Sequence, residues 1–377
     1  MKNWYSIWGY RSLDFGAFPL YVENETEYVE ICAFPPCEAF KIRFQNTFGT
    51  ETLHIEEAWL VVRDGGKCPV TVNGQRRIAV APGKRIWSDE VIQKAEAGQK
   101  IQIKLRWSGK NVVKSACTFL ANSMTSVWYS KNEGGLTGSF FEKEPLHQCV
   151  TGLDQIAVRT EEPVFTVVAF GDSITHMSRW TAPFAERLLE KYQGRVTLLN
   201  MGICGNRLLH DASVGSGHGG WFGERGIVRF ERDVFANGFV PDAVILLEGI
   251  NDILHPAIGE APPEEAVSAE EIVAGLESCA DTAHYHQTKI YAATLLPFKG
   301  CKDHWRPWHE EKRNCVNDLL RRSTVFDEIF DFDSWAKDPA DESRLNPKGG
   351  SEDKLHPGIE GGKTLAEQID LSLLCGK

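Results

Sequence analysis

Three short segments, far apart in the sequence, carry side chains that could act together on one substrate. They are Gly171-Asp172-Ser173-Ile174, Gly249-Ile250-Asn251-Asp252 and Asp353-Lys354-Leu355-His356. A serine hydroxyl is a weak nucleophile until a nearby base takes its proton. His356 could be that base, and Asp353 could bind its other ring nitrogen, fix the tautomer and stabilise the imidazolium. The set predicts a hydrolase with Ser173 as its nucleophile.

The position of Ser173 between a strand and a helix agrees with this interpretation. A run of strand-forming residues at 164–170 precedes it, and a helical stretch follows from about 178 to 192. A serine at such a turn lies at the carboxyl edge of a sheet, where open α/β folds bind their ligands. The alternative is that Asp172 and Ser173 only cap the helix. No Gly-x-Ser-x-Gly elbow occurs, which disfavours the larger α/β-hydrolase fold.

Together with a strand that ends in Asn200-Met201-Gly202, these segments resemble the four blocks of the SGNH (GDSL-type) esterases and lipases. The resemblance covers about residues 161–377 and implies a flavodoxin-like, three-layer α/β domain with a parallel sheet. It also implies three oxyanion donors: the backbone N–H groups of Ser173 and Gly202, and the side-chain amide of Asn251. Two further stretches resemble a two-domain subgroup of the family, Gly205-Asn206-Arg207-Leu208-Leu209-His210-Asp211 and Arg229-Phe230-Glu231-Arg232-Asp233.

Residues 1–160 are predicted to form a separate all-β domain. Most of their short strand-like runs alternate apolar and polar residues, as strands with one buried face do. Asn73-Gly74 between two such runs predicts a hairpin, because both residues tolerate positive φ. The density of strands predicts a β-sandwich or jelly roll. The runs lie at 39–44, 58–62, 70–72, 77–80 and 101–107.

Residues 161–377 show a different pattern, in which apolar strands alternate with helical segments. This alternation predicts a parallel sheet covered on both faces. The stretch 160–163 is the predicted boundary, and since it is not a long Gly/Ser- or Pro-rich spacer, a packed interface between the two domains is expected. The predicted strands are 164–170, 196–201, 243–248, 290–295 and 325–331, and the predicted helices are 182–193, 265–286, 310–322 and one from about 363.

The composition limits the partners and the compartment. A net charge of −11 and the absence of any Lys/Arg-rich run argue against binding to nucleic acid or to an anionic membrane. There is no apolar stretch of membrane-spanning length and no signal-peptide pattern at the N-terminus, so a cytoplasmic location is expected. The ten cysteines are then expected to be reduced thiols.

Two motifs that suggest a cofactor or a metal lack the context that either would need. Residues 215–220 fit the spacing G-x-G-x-x-G, but no strand leads into them, and we interpret them as a mobile loop. His284 and His286, and separately Cys301, His304 and His309, lack the spacing of a zinc site. We therefore predict no cofactor and no metal.

The leading functional hypothesis is a serine esterase that acts on small acyl esters, above all acetyl groups on carbohydrates. It rests partly on analogy, since a sandwich joined to an SGNH domain resembles microbial carbohydrate esterases. The expected substrate is a small molecule or an oligosaccharide ester, and the chain could form a homo-oligomer. The alternatives are a lysophospholipase or thioesterase for longer acyl chains, and a catalytically silent sugar-binding protein. The tryptophans that could stack on sugars are Trp4, Trp8, Trp59, Trp87, Trp107 and Trp128.

Overall fold

The computed structural model describes residues 3–32, 35–63, 65–130, 139, 146–213, 217–236, 238–301 and 304–374. The chain divides into two compact units. Met1–Thr166 with Ala185–Leu199 form the first unit, and Val167–Phe184 with Asn200–Lys377 form the second. The predicted boundary near residue 160 remains a prediction.

The first unit consists mainly of antiparallel strands. The larger sheets follow the orders β1-β16-β5-β10, with β9 on β5, and β14-β4-β11-β6-β7, with β8 on β6. Smaller sheets pair β12 with β3, and β15 with β13 and β2. The all-β prediction is confirmed. The strands are β1 (Asn3–Gly9), β2 (Leu13–Asp14), β3 (Leu20–Glu23), β4 (Thr26–Ile31), β5 (Cys37–Gln45), β6 (Leu53–Val62), β7 (Lys67–Val70), β8 (Ile78–Val80), β9 (Arg85–Trp87), β10 (Val91–Ala95), β11 (Ile101–Trp107), β12 (Lys110–Val113), β13 (Ser115–Leu120), β14 (Thr125–Tyr129), β15 (His147–Val150) and β16 (Leu153–Thr160).

The turn at Asn73-Gly74 forms as predicted, but the strands around it pair differently from the prediction. Asn73 and Gly74 have φ values of 51° and 75°, and Val72 and Gln75 exchange backbone hydrogen bonds. The runs on either side, β7 and β8, do not pair with each other, because both pair with the long strand β6. The turn is therefore correct as local structure, and the predicted two-strand hairpin is wrong.

Several tryptophans of the first unit are already in contact with neighbours. Trp8 and Trp107 are buried in the core. Trp128 on strand β14 pairs with Tyr28 on strand β4, and the two rings stack with centroids 5.3 Å apart. On β6, the ring of Trp59 has the Lys67 amine 3.9 Å from its centroid. Core packing and cation–π contacts thus account for much of this tryptophan content.

A five-stranded sheet of order β18-β17-β19-β20-β21 lies mainly in the second unit, with residues 196–199 of its edge strand β18 assigned to the first. Strands β17, β19, β20 and β21 pair in parallel, and β19 is buried along its whole length. The predicted α/β fold with a parallel sheet is therefore confirmed. The strands are β17 (Phe165–Gly171), β18 (Val196–Gly202), β19 (Ala243–Leu247), β20 (Lys289–Ala293) and β21 (Glu328–Phe330), and a hairpin follows from β22 (Lys337–Asp338) and β23 (Asp341–Leu345).

The helices connect these strands. The helix Ala269–Tyr285 (α5) packs against Gly226–Val234 (α3), Pro307–Arg322 (α6) and strand β20, while Phe332–Ala336 (α7) packs against Ile359–Gln368 (α8). Helix α8 begins at Ile359 and not near residue 363 as predicted. The reason is that Gly362 lies inside the helix, where a side chain would come within 2.1 Å of the Arg179 carbonyl oxygen. The helices are α1 (Ser173–His176), α2 (Thr181–Tyr192), α3 (Gly226–Val234), α4 (Ile250–Ile258), α5 (Ala269–Tyr285), α6 (Pro307–Arg322), α7 (Phe332–Ala336) and α8 (Ile359–Gln368).

Candidate active site

Ser173 lies where β17 ends and the short helix α1 begins. Asp172 is the N-cap of this helix, and its Oδ1 atom accepts a hydrogen bond of 2.8 Å from the Ile174 N–H. The capping interpretation is thus correct for Asp172. It does not compete with a catalytic role for Ser173, because the cap fixes the backbone that presents the serine.

A tight loop shapes the segment that carries His356. Asp353 Oδ1 accepts the backbone N–H groups of Leu355 and His356, at 2.8 and 2.9 Å. The loop is closed by a hydrogen bond from the Ser351 N–H to the His356 carbonyl oxygen, and Lys354 has a φ of 62°. The short spacing between Asp353 and His356 therefore forms a compact turn around one carboxylate.

The structure brings Ser173, His356 and Asp353 into one hydrogen-bonded line. The Nε2 atom of His356 lies 2.8 Å from Ser173 Oγ, and its Nδ1 atom lies 2.7 Å from Asp353 Oδ2. Burial alone would raise the pKa of Asp353, but hydrogen bonds from His356 and Ser351 outweigh it and hold this pKa well below its usual range. The carboxylate thus stays ionised and can stabilise an imidazolium.

Asn251 is the second residue of α4, whose N-cap Gly249 lies two residues after the end of β19. Its Nδ2 atom donates to the Asn206 carbonyl oxygen at 2.8 Å. A side-chain amide has two N–H donors, so this bond leaves one for another acceptor. Asn206 is fixed in turn, because its own Nδ2 donates to the carbonyl oxygens of Phe222 and Glu224.

Gly202 does not offer the free donor that the family resemblance implied. Its N–H donates to Asn200 Oδ1 at 2.9 Å, and a side chain at this position would come within 2.4 Å of the His176 nitrogen. Gly202 thus serves close backbone packing, and this bond argues against its predicted oxyanion role.

Gly205, which was not predicted from the sequence as an oxyanion donor, lies three residues after Gly202 and directly before Asn206. It has a φ of 70°, and its N–H has no acceptor among the described residues. The one available signal was a second glycine in the same loop.

Buried carboxyl groups lie behind the serine. Burial raises the pKa of Asp172 to about 7 and that of Asp252 to about 6, and it raises the pKa of Glu248 well above its usual value. Asp252 accepts the backbone N–H groups of Leu208 and Leu209 at 2.7 and 2.9 Å. It therefore anchors the loop that follows Gly205 rather than facing a substrate.

The residues that suggested a metal site have other contacts. His284 pairs with Asp327 and His286 with Glu231, at 3.1 and 3.3 Å. The described residues contain no group of three or more His, Cys, Asp or Glu that could hold a metal ion. The cysteines among the described residues are free thiols, and Cys375 lies outside the described residues.

The predicted mobile loop at 215–220 falls partly outside the described residues, since 214–216 are not described. Gly219–Phe222 form a 3-10 turn.

Across the part of the chain that the structure describes, no helix is both long and apolar enough to cross a membrane.

Comparison with protein families decides the class of the second unit. Residues 169–363 match the model of the GDSL-like lipase/acylhydrolase family. The chain belongs to this family. Membership places the protein among the ester hydrolases. A separate comparison with curated proteins found no match.

Solved structures with some similarity include members of this family. An acetylxylan esterase from Geobacillus stearothermophilus is 22% identical, with 54% of this chain and 92% of that chain covered and a TM-score of 0.40. A GDSL-like lipase from Bacteroides thetaiotaomicron is 19% identical, with 54% and 84% covered and a TM-score of 0.36. An alpha/beta hydrolase enzyme from the metagenome of Lake Arreo is 19% identical, with 54% and 93% covered and a TM-score of 0.40.

Proposed function

We propose that this family member is a serine esterase that works through an acyl-serine intermediate. The observation that carries the proposal is the line of hydrogen bonds from Asp353 through His356 to Ser173. In the first step, His356 Nε2 takes the proton of Ser173 Oγ as Oγ attacks the ester carbonyl carbon. His356 then returns that proton to the leaving alcohol, and a water activated by the same nitrogen releases the acid.

The oxyanion that forms in each step needs preorganised donors, which are usually the largest catalytic contribution. We assign this role to the Ser173 N–H, the second N–H of the Asn251 amide and a glycine N–H. Gly205 is the better glycine candidate, because the Gly202 N–H is already bonded to Asn200. Gly205 also adjoins Asn206, whose carbonyl oxygen holds Asn251.

The substrate class that we propose is a short acyl ester, in particular an acetyl ester of a carbohydrate. Support comes from the Phe222 ring, which packs so closely on Gly205 that a Cβ there would lie 2.1 Å from the ring. A ring against the proposed oxyanion loop limits the space for an acyl chain. The carbohydrate part rests on the analogy between this two-unit chain and carbohydrate esterases.

The test is a series of p-nitrophenyl esters from acetate to palmitate, followed by an acetylated oligosaccharide. We expect turnover to be highest for acetate and to fall as the acyl chain lengthens. The Ser173→Ala variant is the control, and it should retain less than about 10⁻³ of the wild-type rate. Preference for palmitate would favour a lysophospholipase or thioesterase, and no turnover of any ester would refute the esterase proposal.

A further inference from the structure

Arg229 is a fully buried arginine in the middle of helix α3, with no exposed surface. Its guanidinium lies 3.8 Å from the centroid of the Phe170 ring, beneath the end of β17. Arginine cannot lose its charge inside a protein, so a buried guanidinium must have both hydrogen-bond acceptors and negative partners. The identity of those acceptors indicates what Arg229 does.

The acceptors of Arg229 belong to different segments of the chain. Nη2 donates to the Gly171 carbonyl oxygen at 2.9 Å, Nη1 donates to the Met201 carbonyl oxygen at 2.9 Å, and Nε donates to Asn206 Oδ1 at 2.7 Å. Asp233 Oδ2 accepts a further bond of 3.2 Å from Nη1, and Glu248 Oε2 lies 3.5 Å from Nη2. The Asp233 carboxylate balances the charge, while the other three acceptors lie at the end of β17, in β18 and in the loop that follows β18.

These segments carry or adjoin the proposed oxyanion donors. Gly171 is two residues before Ser173, and the segment from Met201 to Asn206 contains both candidate glycines. Asn206 connects Arg229 to the third donor, because its carbonyl oxygen holds the Asn251 amide at 2.8 Å. One planar cation therefore links the end of β17 to the segment 201–206 directly, and to the first turn of α4 through Asn206.

We propose that Arg229 is a positioning residue that holds the oxyanion donors in register, and this inference rests on the proposed esterase function. Arg229 does not touch the substrate and acts through Gly171, Met201 and Asn206. The role needs the rigid fork of a guanidinium, since a lysine ammonium has three donors on a flexible stem and cannot reach these acceptors together.

The expected effect follows from the geometry of catalysis. A misplacement of about 1 Å of a catalytic group can cost about 10²-fold in rate. Arg229→Lys should therefore lower kcat by roughly 10- to 100-fold, with little change in KM, because the lost alignment matters mainly in the transition state. A purely structural arginine would change the amount of folded enzyme and leave the kcat of the folded fraction unchanged.

The experiment measures kcat and KM with p-nitrophenyl acetate for the wild type, Arg229→Lys, Asn251→Ala and the double variant. Circular dichroism and thermal unfolding establish the folded fraction of each. The matched control is Arg313→Lys, because Arg313 is also almost fully buried and pairs with Glu310 and Asp333 in the same unit. If Arg229→Lys does not fold, Asn206→Ser tests the same connection from its other end.

The decisive comparison is the coupling between Arg229 and Asn251. If Arg229 acts through the oxyanion donors, Arg229→Lys should cost a smaller factor in kcat when Asn251 is already alanine than it costs in the wild type. A folded Arg229→Lys variant with wild-type kcat, or the same fold-loss from both buried arginines, would overturn the positioning role. The positioning role would also be overturned if the fold-loss in kcat of the double variant equalled the product of the two single fold-losses. If the wild type hydrolyses no ester, the proposed function fails first and the positioning role fails with it.

Discussion

Asp353 binds His356 at two places, the backbone N–H and the imidazole ring of the histidine. The Oδ1 atom of Asp353 accepts the His356 N–H at 2.9 Å, and Oδ2 lies 2.7 Å from the ring nitrogen Nδ1. The first contact fixes the loop and the second orients the imidazole whose other nitrogen faces Ser173. Structural and catalytic demands thus fall on separate oxygen atoms of one carboxylate, which makes the two roles experimentally separable.

Asp353→Asn should separate them. If the amide oxygen takes the place of Oδ1, the loop keeps its shape, while the NH₂ group that replaces Oδ2 cannot accept from Nδ1–H. We expect kcat to fall by about 10²–10⁴ with little loss of thermal stability, because the histidine loses its correct tautomer and its counter-charge. Ser351→Ala is the control, since it removes a bond to Asp353 Oδ1 and leaves the ring contact intact. Near wild-type activity in Asp353→Asn would reduce the triad to a dyad.

Asn251 provides a test of the oxyanion site. Asn251→Ala should lower kcat by roughly 10²–10³ while KM stays nearly constant, since the amide is expected to bind charge that exists mainly in the transition state. Rates over a range of p-nitrophenyl acetate concentrations give both constants. An unchanged kcat would remove Asn251 from the site, and a rise in KM alone would make it a substrate-binding residue.

Much of this site could be predicted from the sequence, because its residues occur in short local motifs. Ser173, Asn251 and His356 each follow a recognisable turn or strand end, and folding brings Ser173 and His356 together across 183 residues. Local motifs do not show which N–H groups are already bonded, so the sequence could not show that the Gly202 N–H bonds to Asn200, while the Gly205 N–H has no acceptor among the described residues. Arg229 could not be assigned a role either, because two of its acceptors, the Gly171 and Met201 carbonyl oxygens, belong to the backbone and leave no trace in the sequence.

The fold shows the same limit on what local sequence patterns can predict. Alternating apolar residues predicted β11 at its observed bounds, Ile101–Trp107. The pattern could not show that residues 185–199 cluster with the first unit, where Thr197 Oγ1 donates to the Ser6 carbonyl oxygen at 3.0 Å. Contacts between distant parts of a chain depend on three-dimensional packing and not on local propensity.

Phe222→Ala should change the preference for acyl chain length. Removing the ring that covers Gly205 opens space beside the proposed oxyanion loop, so the ratio of kcat/KM for butyrate or octanoate to that for acetate should rise by about tenfold. Phe235→Ala is the control, because Phe235 lies at the C-terminal end of α3 and stacks on His286 with a centroid distance of 4.0 Å. An unchanged ratio in Phe222→Ala would show that another surface limits the acyl group.

The buried acids behind Ser173 should make the folded protein less stable as pH rises. The raised pKa values of Asp172 and Asp252, about 7 and about 6, mean that the folded state keeps protons that the unfolded chain has already lost. The free energy of unfolding should therefore fall between about pH 4, the ordinary carboxyl pKa, and about pH 7, and then level off. Asp353 acts in the opposite sense, since its lowered pKa gives stability that is present above about pH 4 and is lost only on further acidification.

Asp172→Asn tests the larger of these two effects. If its amide oxygen takes the place of Oδ1, the helix cap on Ile174 remains, while the charge at Oδ2, an atom with no hydrogen-bond partner among the described residues, is lost. Urea unfolding from pH 4 to 8 should show a shallower decline in the variant than in the wild type. Asp318→Asn serves as the reference, because its side chain is 59% exposed and should leave the slope unchanged. Parallel curves for the wild type and Asp172→Asn would mean that Asp172 is ionised in the folded protein throughout this range, and would contradict the raised pKa of this carboxyl group.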